Sequence, residues 1–163
     1  QIMGRVANGW LPWQFRHDCG RAANEVGWID PMVSEIPIER KAQAFATARI
    51  QYGDYLAGMT PGGGAGRALE DLLVLARTRG IPVKLVVMPE STEFRTMYQP
   101  EVAVRIDGFL NELSRKYEVE WIDARSWLPD EVFYDGHHLL RSGAEAFSDR
   151  LTDAVIVPFF RKP

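Results

Sequence analysis

The residue types best suited to chemistry in this chain are the carboxylate of Asp135 and the imidazole of His138, three positions apart in the segment 133–143. A carboxylate so close to an imidazole can fix the tautomer of the ring and stabilise its protonated form. A general base in acyl transfer needs both properties, because it takes a proton from a hydroxyl nucleophile. The segment is therefore typical of the base-bearing half of a hydrolase site.

The same residues also allow a structural interpretation. In this alternative, Asp135 accepts backbone N–H bonds in a loop that leads into a helix, and His138 is a buried polar side chain. His137 lies between them and is expected to face solvent, with a secondary role in binding a polar substrate as its alternative.

Metal binding is not expected from the sequence. The segment 17–19 (His-Asp-Cys) has metal-binding residue types in adjacent positions, as do Asp135, His137 and His138. Neighbours in sequence rarely converge on one ion, and no second pair stands at ligand spacing. The single cysteine, Cys19, excludes a cysteine-rich zinc module and an internal disulfide framework. We predict no metal and no organic cofactor.

The elements around the pair alternate between helical and strand patterns. Apolar residues at intervals of three and four predict helices. A run rich in β-branched residues predicts a buried parallel strand, and a second strand follows from the apolar residues Val119 and Ile122. The predicted helices cover 38–56, 65–79, 101–117 and 143–155, and the predicted strands cover 83–88 and 118–122. The order is that of a βαβ unit, in which ligand-binding loops follow the carboxyl ends of the strands.

Local signals predict where some of these segments begin or end. Gly80 is placed to terminate the second helix, and Ser142 and Glu145 have the spacing of a capping box, so the last helix is expected to begin after Ser142. Residues 1–37 are irregular, aromatic-rich and interrupted by prolines. They are predicted to form a leader that precedes a domain over 38–163.

Composition and charge exclude several classes of protein. With 163 residues, 46% apolar and 25% charged, the chain has the size and composition of one globular domain. Its net charge is −3 and no basic run exceeds two residues, which argues against nucleic acid as a partner. No apolar run reaches the roughly 18 residues that a membrane span needs. Because the chain begins at Gln1, a signal peptide or membrane anchor in a longer parent chain is an open alternative. Such a segment would favour an extracytoplasmic location.

The segment 135–139, followed by Gly143 and an amphipathic helix, resembles the last block of the SGNH (GDSL-like) hydrolases, which reads Asp-x-x-His. The preceding order is also similar to that family: a helix ending in Arg-Gly-Ile-Pro, a strand Lys-Leu-Val-Val-Met-Pro, a helix, and a strand ending at Asp123. The resemblance covers roughly residues 65–155. Members of the family are flavodoxin-like α/β esterases and acyl-transfer enzymes.

The resemblance implies a fold and two catalytic residues. The implied fold is α/β, a three-layer flavodoxin-like parallel sheet flanked by helices and incomplete at its N-terminal side, of which 38–163 would be the C-terminal portion. His138 would be the general base and Asp135 the group that orients it. The implied substrate is a small ester or an acylated saccharide, cleaved or transferred without a cofactor.

A serine nucleophile for this base is not found in the sequence. The family carries it in a Gly-Asp-Ser block and takes oxyanion donors from two further blocks, none of which is visible here. Ser114 falls within a predicted helix, and Ser91 and Ser142 are explained as caps. We therefore expect an ester hydrolase or acyl-transfer domain whose serine is not present in this segment.

The alternative function is a non-catalytic, SGNH-like scaffold or accessory subunit of a larger assembly. It depends on the aromatic residues near the two ends of the chain, Trp10, Trp13, Phe159 and Phe160. Such residues either pack into the core or form a docking surface for a protein partner.

Overall fold

The computed structural model describes residues 35–161. Nearly all of the predicted leader, with Trp10 and Trp13, lies outside the described residues. In chain order the elements are α1 (Ile38–Gly58), α2 (Gly64–Thr78), β1 (Lys84–Val87), α3 (Thr92–Arg95), α4 (Pro100–Tyr117), β2 (Glu120–Asp123), α5 (Arg141–Leu151) and α6 (Val157–Arg161). A 3₁₀ turn, Asp130–Val132, precedes the Asp-His segment, and a π-helical segment, Thr152–Ile156, joins α5 to α6.

Each predicted helix and strand is confirmed to within a few residues. Helix α4 begins with Pro100, whose missing N–H costs nothing in the first turn of a helix. Helix α2 ends just before Gly80, which has φ of 63° in the left-handed region, so the predicted role of Gly80 as a terminator is confirmed. Local sequence signals were therefore sufficient to predict the positions of these helices and strands.

The predicted three-layer flavodoxin-like sheet is wrong. The described chain is mostly helical, at 65%, and its one sheet has two strands. The physical reason is that most apolar residues outside β1 and β2 recur at helical spacing or lie in loops, and even the β-branched run 155–157 is helical. The remaining strands were implied by the family resemblance and have no counterpart in these residues.

A single parallel crossover is nevertheless present. Strands β1 and β2 pair in parallel, with Lys84 opposite Glu120 and Val87 opposite Asp123, and α4 makes the connection. Both strands therefore end at the same edge of the sheet. Two backbone hydrogen bonds continue beyond the strands, from Ala124 N to Val87 O at 3.0 Å and from Glu90 N to Arg125 O at 3.1 Å. This edge carries the loops of the candidate site.

The main hydrophobic core lies between α2, α4 and the sheet. It contains Leu73, Leu113, Tyr117 and Val119, all less than 10% exposed. Burying a leucine side chain contributes about 1.5–3 kcal/mol. The Tyr117 hydroxyl stays satisfied at the edge of this cluster, because it donates to Glu70 Oε2 at 2.9 Å. The core fixes α4 on the sheet, and with it the direction of both strands.

The start of α5 differs from its prediction. The helix begins at Arg141, with Leu140 in the N-cap position and no side-chain cap, so the predicted cap at Ser142 is wrong. Tertiary contacts determine this start. Leu140 is buried and its N–H donates to Val132 O at 2.8 Å. Gly143 lies against the same turn, where a Cβ atom would be 2.7 Å from Val132 O.

Gly143→Ala is therefore expected to lower the free energy of unfolding by about 1–3 kcal/mol, because the new methyl group overlaps backbone that has no room to move. Gly108→Ala is the matched control, since a Cβ atom there meets nothing within 4 Å. It should stabilise α4 by about 0.5–1 kcal/mol. Urea denaturation of both variants measures the difference, and equal effects of the two substitutions would contradict the proposed packing.

Candidate functional site

Residues 133–139 form a tight loop that holds the candidate site. Phe133 and Leu139 form an antiparallel bridge, and Tyr134 N donates to His138 O at 2.7 Å. At the tip, Gly136 has φ of 99°, a conformation that side chains rarely adopt. A Cβ atom at Gly136 would also lie 3.0 Å from Phe94 Cβ. The loop conformation therefore requires glycine at this position.

Within this loop Asp135 and His138 are hydrogen-bonded to each other. Asp135 Oδ2 lies 2.8 Å from His138 Nδ1, while Oδ1 accepts the backbone N–H groups of His138 at 2.9 Å and of His137 at 3.3 Å. An ionised carboxylate only accepts hydrogen bonds, so Nδ1 of His138 is the donor and Nε2 keeps its lone pair. The structure thus brings the two predicted residues together in the tautomer that a base requires. Their catalytic role stays a prediction.

The two side chains differ in exposure. Only 13% of the Asp135 side chain is exposed, against 66% for His138. The structural alternative is therefore right for Asp135, which does accept backbone N–H bonds, and wrong for His138, which is not a buried polar side chain. A shielded carboxylate hydrogen-bonded to an accessible imidazole is the arrangement expected if Asp135 orients His138 and His138 acts as the base.

The electrostatics of the pair follow from these contacts. Burial acts to raise the pKa of Asp135, but hydrogen bonds from the side chain and backbone of His138 outweigh it, and the pKa lies below its usual value. The hydrogen bond to Asp135 raises the pKa of His138 above its usual value, against the effect of burial. The pair therefore favours the imidazolium form that follows proton uptake.

The structure overturns the prediction that His137 faces solvent. Its side chain is 22% exposed, and its ring packs against Phe94 and Tyr52, with centroid distances of 4.7 Å and 5.0 Å. Nδ1 of His137 lies 3.3 Å from Asp135 Oδ1, yet it is buried and makes no hydrogen bond, because the two groups are not in hydrogen-bonding geometry. Burial lowers the pKa of His137. The residues that bury it lie more than forty positions away in the sequence, so no local signal could have found this.

Ser91 anchors the loop to the sheet. It is 6% exposed, its Oγ accepts the N–H of Phe94 at 3.1 Å, and its own N–H donates to Gly136 O at 2.7 Å. The prediction that Ser91 is a cap is confirmed, because it occupies the N-cap position of α3. A buried hydroxyl with this role has a structural function.

Glu90 is a half-buried acid that was not predicted from the sequence. Its Oε1 accepts the Tyr98 hydroxyl at 2.7 Å, whereas Oε2 is buried and has no partner. Arg95 Nη1 donates to the carbonyls of Glu90 and Arg125, at 2.6 Å and 2.8 Å. Desolvation raises the pKa of Glu90, although Tyr98 and the neighbouring arginines act in the opposite direction. Its position directly after a strand, before Ser91, was the one sequence signal available.

Two cavities meet beside Asp135, and α1 forms a wall of each. The first, of about 300 Å³, is mainly apolar, and Ala42, Phe45 and Phe133 are among its lining residues. The second, of about 380 Å³, is lined by the polar side chains of α1 and by the loop: Arg40, Gln43, Thr47, Gln51, Tyr134 and Asp135. Tyr134 and Asp135 border both cavities.

Asp135, His137 and His138 also form a group of potential metal ligands. One ligand atom from each lies within 4.8 Å of the others. Candidate ligand atoms of three neighbouring residues thus lie close together in this loop, and the expectation of no metal stays a prediction. The segment 17–19 lies outside the described residues.

Comparison with known proteins gives no further assignment: no family model, curated protein or solved structure matches this chain. The SGNH resemblance therefore rests on the Asp-x-x-His block and its surroundings alone. Among residues 35–161, no helix has the length and apolar character to cross a membrane.

Glu90→Gln is expected to change how stability depends on pH. Because the folded-state pKa of Glu90 is raised, its contribution to stability is fully present below the unfolded-state pKa and is lost as pH rises through the folded-state pKa. The wild type should therefore lose free energy of unfolding relative to Glu90→Gln as pH rises from below the usual glutamate pKa through the raised folded-state pKa.

Tyr98→Phe provides the comparison for this experiment. It removes the hydrogen bond that lowers the pKa of Glu90, so the loss of stability with rising pH should become larger than in the wild type. Chemical denaturation at a series of pH values measures all three proteins. Parallel pH profiles for wild type and Glu90→Gln would show that this carboxyl is not perturbed.

Proposed function

We propose that Asp135 and His138 are the general-base half of an ester hydrolase or acyl-transfer site of the SGNH type, and that the nucleophilic serine comes from outside this segment. The observation that carries the proposal is the 2.8 Å contact between Asp135 Oδ2 and His138 Nδ1, together with the 66% exposure of the His138 side chain. A general base needs an imidazole whose Nδ1 is held by a hydrogen bond and whose Nε2 is accessible to the hydroxyl that loses its proton.

The proposed reaction uses the pair twice. His138 Nε2 takes the proton of the serine hydroxyl as the serine oxygen attacks the ester carbonyl carbon, and Asp135 stabilises the imidazolium that forms. The imidazolium then gives its proton to the oxygen of the leaving alcohol as the ester bond breaks. Water, or a second hydroxyl in acyl transfer, repeats the sequence and frees the serine.

The two cavities that border Asp135 are not lined by His138, but they suit a substrate with one apolar and one polar part that reaches past Asp135 to the imidazole. The apolar cavity, with Phe45 and Phe133 in its wall, suits a short acyl chain. The neighbouring cavity offers the guanidinium of Arg40 and the amides of Gln43 and Gln51, which suit a hydroxyl-rich alcohol. Small esters and acylated saccharides have this division.

The test is His138→Ala in the full-length protein that contains this segment, with p-nitrophenyl acetate as substrate. Loss of the base should lower kcat/KM about 10²–10⁴-fold, because general-base catalysis contributes that much. Asp135→Asn should lower it as well, since an asparagine can hold the imidazole in the wrong tautomer. The exposure of His138 predicts little change in melting temperature for His138→Ala.

The matched control is His17→Ala, the histidine outside the Asp-His loop. It should leave the rate of hydrolysis unchanged. If His138→Ala retained the wild-type rate on an ester that the protein cleaves, the catalytic assignment would be abandoned.

The second candidate is the non-catalytic accessory subunit. One observation favours it: Phe160 is 77% exposed, so of the two alternatives for the C-terminal aromatic residues, packing into the core does not hold for Phe160. Phe159 is half-buried and lies edge-on to Phe160, with ring centroids 5.3 Å apart. An exposed phenylalanine supported by a half-buried one suits a protein partner. Full-length protein without ester hydrolysis would favour this candidate.

A further inference from the structure

The imidazole nitrogen of His137 has no partner inside the loop. Nδ1 is buried and makes no hydrogen bond, although Asp135 Oδ1 lies 3.3 Å away. Buried polar atoms in folded proteins nearly always have a partner, because leaving one unpaired costs about 1–3 kcal/mol. A buried nitrogen that lies beside a carboxylate oxygen without a proper hydrogen bond is therefore a position where a ligand would be stabilising.

A cation would satisfy both atoms at once. A carboxylate oxygen and an imidazole nitrogen both carry lone pairs, and each binds borderline metal ions such as Zn²⁺. The imidazole of His138 supplies a third ligand, since its ring centroid lies 4.0 Å from that of His137. Each of the three residues places one ligand atom within 4.8 Å of the others.

Two of the three ligands are already held in place. The ring of His137 is fixed between Phe94 and Tyr52, and Asp135 is fixed by the backbone N–H groups that it accepts. His138, the third, is 66% exposed and can adjust. In a tetrahedral site with bonds of about 2.1 Å, two ligand atoms lie about 3.4 Å apart. From separations of up to 4.8 Å, the required movement is therefore at most about 1.4 Å, which an exposed side chain can make by a rotation.

We propose that Asp135, His137 and His138 bind one divalent transition-metal ion, with Zn²⁺ as the favoured ion. Two imidazoles and one carboxylate select Zn²⁺, Co²⁺ or Ni²⁺ over Mg²⁺ and Ca²⁺, which prefer oxygen ligands. Three protein ligands leave the fourth tetrahedral position to water or another small ligand.

This site does not depend on the proposed ester chemistry. It does share Asp135 and His138 with the proposed base, so a bound ion would occupy the groups that the base needs. If both proposals hold, Zn²⁺ binding should inhibit ester hydrolysis. The metal site and the catalytic base are tested separately, so either proposal can be wrong while the other holds.

The experiment is calorimetric titration of the 163-residue chain with Zn²⁺, and with Co²⁺ followed by its visible absorption. One ion per chain is expected. His137→Ala should weaken Zn²⁺ binding at least about 10-fold, because loss of a ligand costs no less than loss of an outer-shell partner. His137→Ala leaves the contact between Asp135 and His138 in place, which separates this test from the ester assay.

The control is the double variant His17→Ala, Cys19→Ala, which removes the only other histidine and the only cysteine. It should bind Zn²⁺ like the wild type. If His137→Ala unfolds the loop, as its thermal melt would reveal, His138→Ala replaces it, since that side chain lies at the surface. Absence of Zn²⁺ binding by the wild type, wild-type affinity in the variants of the loop, or loss of binding in the control would overturn the proposal.

Discussion

The candidate site depends on one backbone hydrogen bond, from Ser91 N to Gly136 O at 2.7 Å. It joins the loop after β1 to the loop that carries Asp135 and His138, although forty-five positions separate the two residues. The side chain of Ser91 also caps α3. A Cβ atom at Gly136 would lie only 3.1 Å from Ser91 Oγ, so the close approach of the two loops requires glycine. The edge of a small sheet thus determines where an otherwise irregular loop lies.

Asp135 is the most heavily used side chain in this arrangement. One of its oxygens accepts two backbone N–H groups, which gives the loop its bend, and the other orients the His138 ring. The fold of the loop and the chemistry of the imidazole therefore rely on the same ionised carboxylate. A residue with both functions cannot be altered for one purpose without affecting the other, and measurements on Asp135 variants must separate loop geometry from reactivity.

The sequence was sufficient for features that arise from nearby residues. Helical spacing located α1, α2, α4 and most of α5, and two short runs with β-branched or apolar residues located the strands. The contact between Asp135 and His138 could be predicted because three positions of chain bring the groups within reach. The prediction of a three-layer sheet was wrong because the number of paired strands depends on long-range contacts. The family resemblance implied strands that residues 35–161 do not contain. The burial of His137 was missed for a similar reason, since Tyr52 and Phe94 cover it from distant elements.

The parallel pairing of β1 with β2 also bears on the order of events in folding. Its first partners, Lys84 and Glu120, are thirty-six positions apart, so the chain must close a long loop before any ladder bond forms. Helix α4, with 18 residues, spans half of that separation, so its formation shortens the flexible part of the loop that must close. We expect α4 and the leucines beneath it to form the nucleus, with the strand pairing following and the Asp-His loop among the last parts to become ordered.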